Sequence, residues 1–96
     1  MPAYLIADVT PTDQATMDEY RKQVPATVAK YGGRFLVRGG AHQVVEGEWK
    51  PNRLVVIEFP TLEQARRWYD SEEYKGPKAL RIQAGRTNLV MVEGIS

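Results

Sequence analysis

The stretch "YGGRFLVRGG", residues 31–40, decides the reading of the whole chain. It sets a glycine pair on either side of a short apolar run, with an arginine at each end of that run. A phosphate-binding glycine loop joins a strand to a following helix, whose N-terminus meets the anion. Here the order is reversed. A helical pattern precedes Gly32 and Gly33, so these two end a helix and lead into a strand at 34–38. Gly39 and Gly40 fall between strand segments, where glycines form a bulge or bend that re-aims the chain. This excludes a nucleotide loop and establishes a helix-then-strand order.

Upstream, Met17, Tyr20, Val24, Val28 and Tyr31 recur every three or four residues, one apolar stripe of a helix. Thr12 or Asp13 is its predicted N-cap. Pro25 lies inside the pattern and predicts a kink or break near Gln23 and Val24. Before this helix, "AYLIADV" (3–9) reads as a strand ended by "TPTD". Downstream, "HQVVEGEW" (42–49) reads as a further strand segment, "KPN" (50–52) as a reverse turn and "RLVVIEF" (53–59) as a strand. Thr61 and Gln64 are spaced for a capping box, followed by Leu62, Ala65 and Tyr69 as an inner helix face. Ser71 restarts the helical region, which carries Tyr74 and Leu80 and runs to about residue 84. "TNLVMVEG" (87–94) closes the chain as a strand.

The order is β-α-β-β-α-β, the ferredoxin-like α+β pattern of a four-stranded antiparallel sheet with two helices on one face. At 96 residues the chain is expected to be a single domain, 1–96. It has 43% hydrophobic and 26% charged residues, which argues against disorder. Net charge is +1 with both signs interspersed, so no basic stripe invites nucleic acid. "MPAYLIADV" does not read as a signal peptide, and no apolar run approaches a membrane span. The expected location is the cytoplasm. There is no cysteine, hence no disulfide, thiol nucleophile or Cys-ligated zinc. The single histidine, His42, reads as a solvated loop residue rather than a base or haem ligand. No metal site and no cofactor are expected.

The pattern raises a question of quantity. Strands 3–9, 53–59 and 88–92 are apolar at most positions of both parities, yet two helices cover only one face. A second copy of the chain is the simplest cover for the other, giving a homodimer with a barrel-like interior.

The stretches "YGGRFLVRGG", "WKPNRLVVIEFP", "WYDSEEYKGPKALR" and "LVMVEG", in that order, closely resemble the bacterial family known as domain of unknown function 1330. The resemblance covers nearly the whole chain. It implies the dimeric α+β barrel superfamily, and with it a dimer, but no activity. Relatives in that superfamily include cofactor-free monooxygenases, lactone isomerases and haem-handling enzymes. Their chemistry does not transfer without the residues that perform it.

Strand alternation selects the candidate site. On the parity assigned to the dimer-facing cavity lie Tyr4 and Asp8, Arg34 and Arg38, Glu58, and Asn88. Apolar walls with a few placed polar groups suit a small anionic or carbonyl-bearing ligand. Arg38 could grip a carboxylate at two points and Glu58 could act as a base; equally, the two could simply pair. Trp49 is expected to pack on the partner subunit or fold back on its own helix. Arg81 reads as a pocket-mouth or helix-end residue, or a surface pair, and the "EYRK" run (19–22) as a solvated helix face. Two functions follow: a small-molecule binder or enzyme, and a non-catalytic dimerisation or stress-related module. Haem handling is a weaker third.

Overall fold

The computed structural model describes residues 1–95. The elements are β1 (Ala3–Pro11), α1 (Gln14–Lys30), β2 (Arg34–Arg38), β3 (Leu54–Phe59), α2 (Leu62–Tyr69), α3 (Glu72–Ala84) and β4 (Gly85–Glu93). The strands form a four-stranded sheet in the order β2-β3-β1-β4, antiparallel at every pairing. This is the ferredoxin-like α+β fold, with the second helical segment split at Asp70–Ser71.

Each helix begins where a side-chain oxygen can take an orphan amide proton. Asp13 Oδ1 accepts from the Thr16 amide at 3.1 Å, Thr61 Oγ1 from Gln64 at 3.0 Å, and Ser71 Oγ from Tyr74 at 3.1 Å. Gly32, at φ +78°, provides the left-handed residue that turns the chain out of α1. Contrary to the expected break, α1 runs on through Pro25 as one helix.

Alternate residues of β1 and β3 (Leu5, Ala7 and Val9; Val55, Ile57 and Phe59) meet Met17, Val24 and Val28 of α1 in the core. Trp68, only 1% exposed, lies at its centre. Its ring centroid is 4.0 Å from that of Tyr74 and 5.5 Å from that of Phe59. The buried indole N–H donates to Thr27 Oγ1 at 3.0 Å, and that hydroxyl donates to the Val24 carbonyl at 2.8 Å. Thus the inner face of α2 is Ala65 and Trp68, with Tyr69 at its margin, whereas Leu62 is exposed.

Two departures from the sequence reading shape the site. Residues 42–49 form no strand; the whole run is exposed loop. Strand propensity is realised only where backbone pairing follows; here β3 pairs with β2 and β1, and residues 42–49 pair with neither outer edge of the sheet. In β2 itself, Arg34 and Phe35 oppose Glu58 and Ile57, but Val37 opposes Val56 and Arg38 opposes Val55. The extra residue, Leu36, is a bulge. A bulge reverses the alternation beyond it, so Arg38 turns to the helix side instead of the outer face.

The molecule measures 32 × 30 × 17 Å. The short axis accommodates one sheet and one helical layer, so the outer sheet face lies open. Val90 and Val92 on that face are 59% and 48% exposed.

Candidate functional site

On the outer face, Glu58 stands opposite both Arg34 and Tyr4 in the strand register. Arg34 Nε donates to Glu58 Oε1 at 2.7 Å, so the glutamate pairs with Arg34 and not with Arg38. Asp8 and Asn88 are opposite each other four residues further along β1, about 13–14 Å away at the strand rise. Ile6, Val56 and Val90 lie between the two groups. One chain therefore places five of the six sequence-selected residues on one face, in two polar groups divided by an apolar band. Arg38 is on the other face.

Asp8 has a structural task. Its side chain accepts from Trp49 Nε1 at 3.0 Å and from the Asn52 amide at 2.9 Å, tying the 40–53 loop to β1. Burial alone would raise its pKa, but these bonds outweigh it and hold the carboxyl below the usual aspartate value. Trp49 thus reaches its own sheet through its indole N–H while most of its ring stays exposed. His42 is exposed, with Nε2 3.0 Å from the Pro51 carbonyl. No cluster of three metal-ligating side chains occurs among the described residues.

Polar groups converge instead on the helix side, around a cleft between α1, α3 and the sheet. Arg21, Arg38, Arg53 and Arg81 line it with Tyr20 and Tyr74, over apolar walls that include Phe35 and Met17. Among the described residues no carboxylate lines it. Its volume is about 40 Å³; a water needs roughly 10–15 Å³ on this measure, so about three waters' worth of atoms fit inside.

Pro25 explains how Arg38 is held. Proline has no N–H, so the carbonyl four residues earlier, that of Arg21, loses its helical partner. Arg38 Nη2 donates to that carbonyl at 2.8 Å, while its guanidinium lies 4.7 Å from the centre of the Phe35 ring. Arg53 comes alongside through Gly39, whose φ is +74° and whose missing side chain leaves room for the Arg53 guanidinium. Burial first, then the Arg21 and Arg38 charges, lower the Arg53 pKa; a guanidinium nonetheless stays protonated. Arg21 makes one weak contact, Nη1 to Asp18 Oδ1 at 3.4 Å, and its Nε is buried without a partner.

At the floor, Arg81 Nε donates to the Tyr74 hydroxyl at 3.1 Å, and that hydroxyl lies 2.9 Å from the hydroxyl of Tyr20. Burial, followed by Tyr74, pushes the Tyr20 pKa far above the ordinary phenol value. Tyr20 therefore keeps its proton at physiological pH; one hydroxyl of the pair donates to the other, which leaves one hydroxyl proton for a ligand oxygen. Sequence reasoning missed this group. Tyr20 reads as core stripe, Arg21 as solvated face, Arg53 as a strand start, and Arg81 as a pocket-mouth or helix-end residue or a surface pair, with nothing to join them. Pro25 was the available signal, because it frees a carbonyl one turn back.

The family model described as Domain of unknown function (DUF1330) matches residues 2–95. The chain belongs to the DUF1330 family. Several solved structures share the fold of this DUF1330 chain at low identity. RPA0582 of Rhodopseudomonas palustris, a protein of unknown function, is 13% identical with a TM-score of 0.79, covering 99% of this chain and 83% of that one. A dimeric ferredoxin-like protein of unknown function from Jannaschia sp. CCS1 is 12% identical with a TM-score of 0.71, covering 98% and 100%. SnoaB, a cofactor-independent oxygenase from Streptomyces nogalater, is 12% identical with a TM-score of 0.68, covering 99% and 94%. No curated protein matches the DUF1330 chain. At these identities the likeness concerns the fold alone.

Proposed function

We propose that this DUF1330 protein is a homodimer whose subunits each bind a small molecule carrying an anionic or carbonyl group. One observation carries the reading: Arg21, Arg38 and Arg53 gather at an apolar cleft that, among the described residues, no carboxylate lines. Like charges brought together and partly desolvated are unfavourable unless an anion joins them. A carboxylate would take the guanidinium bonds, the apolar walls would enclose a fragment of three or four heavy atoms, and Tyr20 would donate to a second oxygen. The dimeric relative supports the assembly, as do the exposed valines of the outer face. In such a dimer Tyr4, Asp8, Arg34, Glu58 and Asn88 would face the partner's sheet, where they could add ligand contacts of their own.

The test uses butyrate as the probe, whose three carbons beyond the carboxylate match the cleft, with uncharged butyramide as its control, titrated by calorimetry into the wild-type chain and into Arg38→Gln and Arg53→Gln variants. Butyrate should bind, weaken as salt rises, and lose at least about tenfold affinity in either variant, since bonds to charged groups are worth about 1.5–3 kcal/mol. Equal binding of butyramide and butyrate, or no binding of either, contradicts the proposal. The small cleft favours a second reading, a non-catalytic dimerisation or stress-related module. In that case mass spectrometry of the purified protein would find no co-purified small molecule.

A further inference from the structure

A second feature begins at the floor of the cleft, with Arg81. Arg81 is buried to 7% exposure, yet its hydrogen bonding among the described residues amounts to the Nε bond to the Tyr74 hydroxyl. None of the ion pairs among the described residues involves it. A guanidinium cannot shed its proton to escape burial, and a buried charge without a counter-charge is costly. Arg81 also lines a second recess, beside the edge strand β4 and α2. There it is joined by Thr87, whose Oγ1 is buried and has no hydrogen-bond partner. Thr87 lies opposite the buried Val9 in the strand register, which puts it on the helix-facing side of β4.

Arg66 and Tyr69 complete the polar lining, and among the described residues no carboxylate borders this recess. Arg66 is held by Asp70, at 3.0 and 3.4 Å, and lies over the Tyr69 ring at 5.4 Å. Lys78 approaches the same ring at 4.4 Å. Two features thus want the same occupant. A buried cation has terminal N–H groups unused, and a buried hydroxyl is free to donate. The recess volume is about 390 Å³ and it opens to solvent, so an ion can enter without rearrangement of the fold.

We propose that this recess is an oxyanion site, in which a carboxylate or phosphate group accepts from the terminal guanidinium nitrogens of Arg81 and from the Thr87 hydroxyl, with Arg66 at the rim. Planar guanidinium donors match both chemistries. The recess shares Arg81 with the cleft, and Thr87, which lines the recess and not the cleft, distinguishes binding at the two.

The experiment titrates inorganic phosphate and, separately, acetate into the full chain, followed by ³¹P linewidth and by acetate ¹³C linewidth. Wild type is compared with Thr87→Val, Arg81→Gln and, as a surface-charge control, Arg67→Gln. Saturable binding of phosphate alone assigns a phosphate-bearing ligand, and binding of acetate alone or of both assigns a carboxylate or a general oxyanion. In each case Thr87→Val should weaken binding by about tenfold, the effect of one bond to a charged group, and Arg67→Gln should not change it. If Arg81→Gln does not fold, Thr87→Val decides the matter. Binding that survives Thr87→Val unchanged, or no saturable binding of either ion, overturns the proposal.

Discussion

Replacing Gly39 with alanine would put a methyl group where the Arg53 guanidinium lies. A Cβ at this position meets Arg53 Nε at 2.6 Å and Cζ and Nη2 at 2.9 Å each, whereas comfortable contact is about 3.5–4.0 Å. The guanidinium must therefore withdraw by about 1 Å. As the end of a flexible side chain it can do so cheaply, which makes the clash a loss of site geometry more than of stability. Backbone strain adds a separate cost: φ is +74° at Gly39, a region that costs an L-residue about 1–2 kcal/mol. The expected fall in melting temperature is roughly 5–15 °C for a domain of this size. Gly40 is the internal control, since nothing lies within 4 Å of its Cβ position and its φ is not positive. Urea unfolding and butyrate titration on Gly39→Ala and Gly40→Ala measure both quantities. Gly39→Ala should lose stability and several-fold butyrate affinity, and Gly40→Ala neither. Equal stability of the two variants, or wild-type butyrate affinity in a destabilised Gly39→Ala, would refute the reasoning.

Asp8 predicts an acid transition of the 40–53 loop. Its folded pKa lies below the unfolded value of 3.8, so its contribution to stability is present above that pH and is lost as pH falls through the folded value. Trp49 emission should change in that acid range, with Asp8→Asn abolishing the change; an identical acid profile in that variant would count against the tether. Thr27→Val removes the acceptor of the buried Trp68 indole N–H and should cost about 1–3 kcal/mol by urea unfolding, while a loss under 0.5 kcal/mol would mean that another group takes the bond. Val90→Glu places a charge on the open sheet face and should convert the proposed dimer to monomer by light scattering with little change in the subunit's circular dichroism. A dimer that persists in this variant would place the interface elsewhere.

Local signals carried much of the fold. The three helix starts follow from side chains that cap amides within their own turn, and the end of α1 follows from Gly32. Alternation in β1 and β3 identified the core faces because nothing interrupts either strand. Trp68 was less legible. Helical spacing from Ala65 leads equally to residue 68 or 69, and only packing against Phe59 and Tyr74 selects between them.

Arg38 shows where such reasoning ends. Its sequence parity places it with Arg34, but a bulge is a property of two paired strands, and one extra residue opposite β3 sends its side chain through to the other face. The same holds for the loop at 42–49, whose strand-forming residues pair with neither open edge of the sheet. The arginine cleft depends on both kinds of information. Pro25 frees a carbonyl by its own chemistry, visible in the sequence, while the guanidinium that takes that carbonyl comes from a strand 13 residues later and meets it only in the folded chain. Caps, turns and alternation act within a few residues and could be read directly. The convergence of Arg21, Arg38, Arg53 and Arg81 is long-range and existed only once the sheet had set its register.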